Sequence, residues 1–229
     1  WRLGLQSIGA RLEVAMARVT RLVSIDLDGT LVRGDPITLA LARHLGREAE
    51  ALALESRFAR GEIDNATLAA ITGAHFAGLT VADLAPALAA LPLIGGIAET
   101  LAALRARGFV VVLGTITWQF AARYFQRRFG FDAASGTAMD EADGHLTGKV
   151  TRTFGPADKP GFVAAAARRH GIDLSACAAI GDAASDLPLF RQVGLSIALN
   201  ATPAAKAAAT VALDTGDLTD VLAWLLPEA

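Results

Sequence analysis

The stretch Leu22-Val23-Ser24-Ile25-Asp26-Leu27-Asp28-Gly29-Thr30-Leu31 sets two carboxylates, two residues apart, where an apolar run meets a glycine. Residues 22–25 read as a short buried strand, and Gly29-Thr30 breaks it. Alternate residues of a strand point to the same side, so Asp26 and Asp28 can face one crevice at the strand's C-terminal end. Two like charges so close are costly unless a positive group, usually a metal ion, sits between them. The competing reading makes one of them a helix N-cap and the other a turn residue.

Further strands occur at a distance. Residues 109–113, Phe-Val-Val-Val-Leu, form a β-branched run typical of a strand buried on both faces. Residues 176–180 and 194–199 are two more apolar runs of strand length, and helical patterns cover residues 97–107 and 118–129. Strands alternating with helices predict an α/β fold, a doubly wound parallel sheet covered on both faces. Between the first strand and residue 97 the chain reads helix after helix. Residues 39–45 stop at Gly46, 48–59 stop near Gly61, and 67–77 and 82–91 come next. This stretch reads as an inserted all-helical cap over the sheet's carboxyl edge. The division is then a core of residues 22–34 and 95–229, a cap of residues 35–94 and an N-terminal extension of residues 1–21. In the extension, Leu5, Ile8, Leu12, Met16 and Val19 recur every three or four residues, a weak amphipathic helix. Packing on the core edge is the plain reading of it, and a membrane or partner anchor the other.

Composition narrows the function classes. A chain of 229 residues fits one domain with an inserted subdomain. It is 53% hydrophobic but only 6% aromatic, so burial rests on small side chains packed in helices. Net charge is −2, and no long basic or acidic block occurs, so nothing points to nucleic acid or an anionic membrane surface. Residues 84–98 are apolar but hold Pro86, Pro92, Gly95 and Gly96, which argues against a spanning helix. The lone Cys177 excludes an intramolecular disulfide, and no secretory signal is visible, so a cytoplasmic location is expected. The expected partner is a small molecule, and oligomeric state is not legible.

Three more strings fall at strand ends or loops. Leu113-Gly114-Thr115 ends the valine-rich strand in a hydroxyl, Asp158-Lys159 lies in a loop before a helix, and Gly181-Asp182-Ala183-Ala184-Ser185-Asp186 comes directly after Ile180. Taken with Asp-x-Asp-x-Thr at Asp26, these four in order resemble the motifs of the haloacid dehalogenase superfamily. The similarity runs from about residue 22 to 226 and is nearest to its phosphoserine phosphatase group. The resemblance implies a Mg²⁺-dependent phosphomonoester hydrolase in which Asp26 attacks phosphorus and forms an aspartyl phosphate. Asp28 would then act as acid and base, while Thr115 and Lys159 hold the phosphoryl group. Asp26, Asp182 and the main-chain carbonyl of Asp28 would hold the cation, with Asp186 a partner of Lys159 or of a metal-bound water. Phe131-Asp132 and residues 143–148 resemble the group's hairpin, with Asp143-Gly144 suited to a tight turn.

Three departures bear on the substrate. The second motif reads Thr115-Ile116-Thr117 where the group has Ser-Gly-Gly, and the fourth has Ser185 where Asn is usual. Asp35 stands where the group carries a glutamate for the substrate's ammonium; a helix N-cap is the alternative. No Lys or Arg occurs between Gly61 and Leu104, where the group's carboxylate-binding arginine belongs. A substrate carboxylate would be desolvated there without a partner. The expected substrate is therefore a small neutral or hydrophobic phosphorylated alcohol, bound by Asp35, Thr115, Lys159 and Ser185. Phosphoserine, anchored by Arg43, Arg57 or Arg60, is the first alternative. A non-catalytic binding or scaffold protein on the same fold is the second.

Overall fold

The computed structural model describes residues 21–226. The amphipathic spacing of residues 5–19 lies outside the described residues. Strand β1 (Leu22–Ile25) is central in a parallel sheet of six strands, ordered β3-β2-β1-β6-β7-β8. Its neighbours are β2 (Val110–Leu113) and β6 (Cys177–Gly181), and β7 (Leu195–Leu199) lies beyond β6. All four were expected from their apolar runs. The edge strands β3 (Ala133–Ala134) and β8 (Val211–Leu213) are too short to show a pattern in sequence.

Period-two alternation divides the side chains between two cores. Val23, Ile25, Val111, Leu113, Ala178, Ile180 and Ile197 face the helices Ile97–Ala106 and Gln119–Phe129. Leu22, Val112, Cys177, Ala179 and Ala198 face the helix Lys159–Arg169 and the shorter helices Leu187–Phe190 and Pro203–Ala208. Small residues on this second side let its helices pack closely, which accounts for a large core with few aromatic rings.

The helices Ile37–His44, Glu48–Ala59, Asn65–Ala74 and Val81–Ala89 lie between β1 and Ile97–Ala106. Two of them begin at side-chain caps. The Asp64 carboxylate accepts from Thr67 N at 2.7 Å, which starts the third helix two residues earlier than its hydrophobic spacing suggested. Thr80 and Asp83 form a reciprocal capping box for the fourth. The segments leading in and out run side by side: Arg33 N donates to Pro92 O, and Ile94 N to Leu31 O.

The antiparallel hairpin β4 (Ala138–Ala142) and β5 (His145–Arg152) joins these helices to the sheet. Its turn has Asp143 at φ 50° and Gly144 at φ 78°, the backbone of a tight two-residue turn. Gly78 N donates to Leu146 O and Leu146 N to Leu79 O, tying β5 to the end of the third helix. Gly73 and Gly148 meet at this seam. A β-carbon on Gly73 would lie 3.0 Å from Gly148 O, and one on Gly148 3.2 Å from the Ala74 Cα. The rings of Phe76, Trp118 and Phe120 close the joint, with Phe76 edge-on to both others at 5.4 Å between centroids.

Phe76 is 3% exposed and carries most of this contact. Phe76→Ala should destabilise the fold by about 3–5 kcal/mol, read from urea unfolding, since the cavity left between rigid elements cannot collapse.

Candidate active site

The carboxyl ends of β2, β1 and β6 lie side by side, so the residues just beyond these strands share one crevice. Asp26 continues β1, with its N–H bonded to Ile180 O. Thr115 lies just past β2, and Asp182 just past β6. Thr115 is held from behind by Ser135, whose Oγ accepts from Thr115 N at 2.9 Å and donates to Thr115 O at 2.8 Å. Ser135 comes directly after β3 and was missed in sequence, because a serine beside a two-residue strand carries no signal.

Lys159 opens the helix Lys159–Arg169 and is fully buried. Its Nζ donates to Asp26 Oδ1 at 2.9 Å and to Asp186 Oδ1 at 2.6 Å. Burial alone would push the ammonium's pKa down, but the charges of Asp26 and Asp186 outweigh it and hold it up at about 12. The other oxygen of Asp186 accepts from the N–H groups of Asp182 and Ala183. Asp182 takes the Thr30 hydroxyl on Oδ1 at 3.1 Å. Thr30 is the last residue of the first motif, and its job is to orient a carboxylate 152 positions away.

Two glycines make these approaches sterically possible. Gly29 has φ 79°, and a β-carbon there would lie 2.2 Å from Asp182 Oδ2. A β-carbon on Gly181 would lie 2.2 Å from the Asp186 Cγ. Arg33 donates to Gly29 O at 2.6 Å, and its charge opposes the rise in the Asp182 pKa.

The carboxyls of Asp26, Asp182 and Asp28 all have raised pKa values. Burial pushes Asp26 well above the usual range, with Lys159 pulling the other way. Burial lifts Asp182 to about 6, reinforced by the charge of Asp186. Asp28 also rises to about 6 through burial, although Ile37 N donates to its Oδ1 at 2.7 Å. That hydrogen bond turns the Asp28 side chain toward the helix Ile37–His44. The three residues whose carboxylate oxygens come within 4.8 Å of one another are Asp26, Asp182 and Asp186. An all-oxygen set with more carboxylates than ammonium groups fits a hard divalent cation. Asp186 has both oxygens engaged already, which leaves Asp26 and Asp182 as the available side-chain ligands.

The other named residues fall outside this cluster. Asp35 is exposed and pairs with Arg43 at 2.9 Å. Ser185 is half-buried in the turn Ala184–Asp186. Arg43 also binds Glu48, while Arg57 and Arg60 both reach Glu62, all of them on the outer surface. Just after Thr115 in the chain, Ile116, Thr117 and Trp118 line a cavity of about 40 Å³ together with Thr38, Asn65, Leu68 and Thr72, among others, and no lining residue is charged.

Residues 23–191 match the haloacid dehalogenase-like hydrolase family. The chain belongs to this family. It is 32% identical over 206 residues to a phosphoserine phosphatase of Streptomyces coelicolor, covering 90% of this chain and 50% of that one. It is 31% identical to a phosphoserine phosphatase of Idiomarina loihiensis, covering 92% of this chain and 96% of the relative. The chain thus spans about half the length of the Streptomyces relative and nearly all of the Idiomarina one. A solved phospho-aspartyl intermediate analogue of phosphoserine phosphatase superposes with TM-score 0.75 at 26% identity, over 90% of this chain and 99% of the other. Among the described residues, no helix is long and apolar enough to cross a membrane.

Asp186→Asn tests the buried network. An amide presents its NH₂ either to the Lys159 ammonium or to the two backbone N–H groups, so one donor always faces another. Unfolding free energy should fall by about 1–3 kcal/mol relative to the parent in urea titrations.

Proposed function

We propose that the protein is a Mg²⁺-dependent phosphomonoester hydrolase acting through an aspartyl phosphate at Asp26 on a small, neutral phosphorylated alcohol. The observation that carries the chemistry is the buried triad Asp26–Lys159–Asp186 opening onto Asp182. Lys159 occupies Asp26 Oδ1, and Oδ2 is the oxygen that would attack phosphorus in line. As the Oδ2–P bond forms, the P–O bond to the alcohol breaks, and Asp28 gives its proton to the departing oxygen. A pKa near 6 keeps part of Asp28 protonated near neutrality, as an acid that must next serve as a base requires. Asp28 then removes a proton from water, whose oxygen attacks phosphorus and releases phosphate from Asp26. Lys159 and the Thr115 hydroxyl stabilise the charge on the phosphoryl oxygens.

Asp26, Asp182 and the Asp28 carbonyl would hold Mg²⁺, which supplies positive charge against the phosphate dianion. Residues 35–94 serve as the cap, and their cavity takes the alcohol. A carboxylate placed there would meet no cation, since Arg43, Arg57 and Arg60 are tied to outward acidic partners. The names of the relatives favour phosphoserine as the second reading.

Asp26→Asn should lower hydrolysis of p-nitrophenyl phosphate at saturating Mg²⁺ by at least roughly a thousandfold. Activity within tenfold of the parent would remove Asp26 as nucleophile. A buried carboxylate without a partner costs a few kcal/mol. Phosphoserine should therefore show a kcat/KM about a hundredfold below that of n-propyl phosphate. The reverse order would show that the cap supplies a cation in the bound state.

A further inference from the structure

Thr117 is 6% exposed, and its Oγ1 is the one buried side-chain polar atom among the described residues without a hydrogen-bond partner. Buried hydroxyls are rarely left this way, because the desolvation is not compensated. The other hydroxyls of the cavity are spent. Thr72 donates to Leu68 O at 2.8 Å, Thr38 to Glu55 Oε1 at 3.2 Å, and Thr137 to Ile116 O at 3.3 Å. Thr117 lies near Asp28 and favours its ionised form, yet it does not reach hydrogen-bonding geometry. Its N–H is anchored on Thr115 Oγ1 at 3.2 Å, which fixes the side chain between the phosphoryl position and the cap.

We propose that Thr117 is the specificity-determining residue of the leaving-group pocket, reading a hydroxyl on the alcohol, so that the substrates are phosphate monoesters of short neutral polyols. The proposal rests on the phosphomonoesterase reading above. A cavity of about 40 Å³ holds few heavy atoms, on the order of three water-sized groups, which favours a short alcohol over long acyl or aromatic ones. Its walls suit such a molecule. Leu68, Ala69, Ile116 and Trp118 cover the carbon skeleton, while Thr117 and Asn65 present polar atoms to its oxygens. Asn65 uses its Nδ2 on Phe154 O, leaving the amide oxygen as an acceptor for a substrate hydroxyl. The hydroxyl of Thr117 thus ceases to be an uncompensated burial once such a substrate is bound.

Glycerol 1-phosphate and n-propyl phosphate form the decisive pair, differing only in hydroxyls, with phosphoserine as a charged third ester. Wild-type protein at saturating Mg²⁺ should favour glycerol 1-phosphate over n-propyl phosphate by about tenfold or more in kcat/KM. Thr117→Val should reduce that ratio to about twofold, chiefly through KM, and Thr117→Ser should restore it. Equal losses on both esters would mean that Thr117 acts through Asp28, and a wild-type preference for n-propyl phosphate would mean that no hydroxyl is read. Either result overturns the proposal while leaving the phosphatase reading intact. Folded wild-type protein that turns over none of the three esters would overturn both. Thr117→Val removes an unpaired polar atom, so it should fold, and Thr117→Ala, expected to lower the ratio in the same way, serves as the second variant.

Discussion

An ammonium group sealed from solvent between two carboxylates is the condition on which the rest of the site depends. Taking an ion out of water costs several kcal/mol even after relaxation, and the cost is recovered only if geometry and remaining hydrogen bonds are both good. Lys159 meets that condition with Asp26 on one side and Asp186 on the other. The partners then become fixed in turn. Asp186 cannot move without exposing Lys159, so its second oxygen stays beneath the amides of Asp182 and Ala183 and shapes the turn after β6. That turn aims Asp182 at Thr30, and Thr30 belongs to the loop that begins with Asp26. The circuit closes on itself through three chain segments that are far apart in sequence.

Such a circuit explains where glycine is required. Gly29 and Gly181 are places within the circuit where a carboxylate passes so near the backbone that a methyl group would occupy the same space. The seam between the helix Asn65–Ala74 and β5 uses the same device for a different end. Gly73 and Gly148 allow helix and strand to touch, which brings Leu68, Ala69 and Thr72 over the loop of Ile116 and Thr117. The size of the cavity is thus set by backbone contact on one side and by the Trp118–Phe76–Phe120 packing on the other. The reactive end is held by charge, and the end facing the cap is held by shape.

Legibility from sequence tracked the range of the interaction. Strands β1, β2, β6 and β7 were readable because burial on both faces writes itself as a continuous apolar run, and the helices Ile97–Ala106 and Gln119–Phe129 by their own patterns. Helix starts at Asn65 and Ile37 were misplaced by two residues because a cap residue or a site contact, not hydrophobic spacing, decides where they begin. Asp26, Thr115, Lys159 and Asp182 could be named as ordered strings, and the fold brings them to one crevice. The strings could not convey which oxygen faces which donor. Asp186 was read as a partner of Lys159 or of a bound water, but its grip on two backbone amides depends on a turn visible only in three dimensions. Asp28 looked like a twin of Asp26 by alternation, yet the N–H of Ile37 draws its side chain toward the helices. Ser135 and the hydroxyl of Thr117 had no signal, since the one acts through its neighbour's backbone and the other through the lack of a partner.

The contrast between the two ends of the crevice bears on how far the relatives' names extend to this chain. Residues that would touch a phosphoryl group are fixed by the Lys159 circuit, and any change there strands a buried charge. That end is therefore stiff against substitution, whatever alcohol is attached. The cavity end, at Thr117 and the helices of residues 37–89, has no comparable buried ion pair among the described residues. Ile116-Thr117 supplies side-chain volume and a hydroxyl, and Arg43, Arg57 and Arg60 pair with exposed acids, all outside the circuit. The proposed reading therefore separates the reactive geometry from the choice of alcohol, since no charged side chain lines the cavity. On the proposed reading, the alcohol is selected by the helices of residues 37–89 and the loop at Thr117.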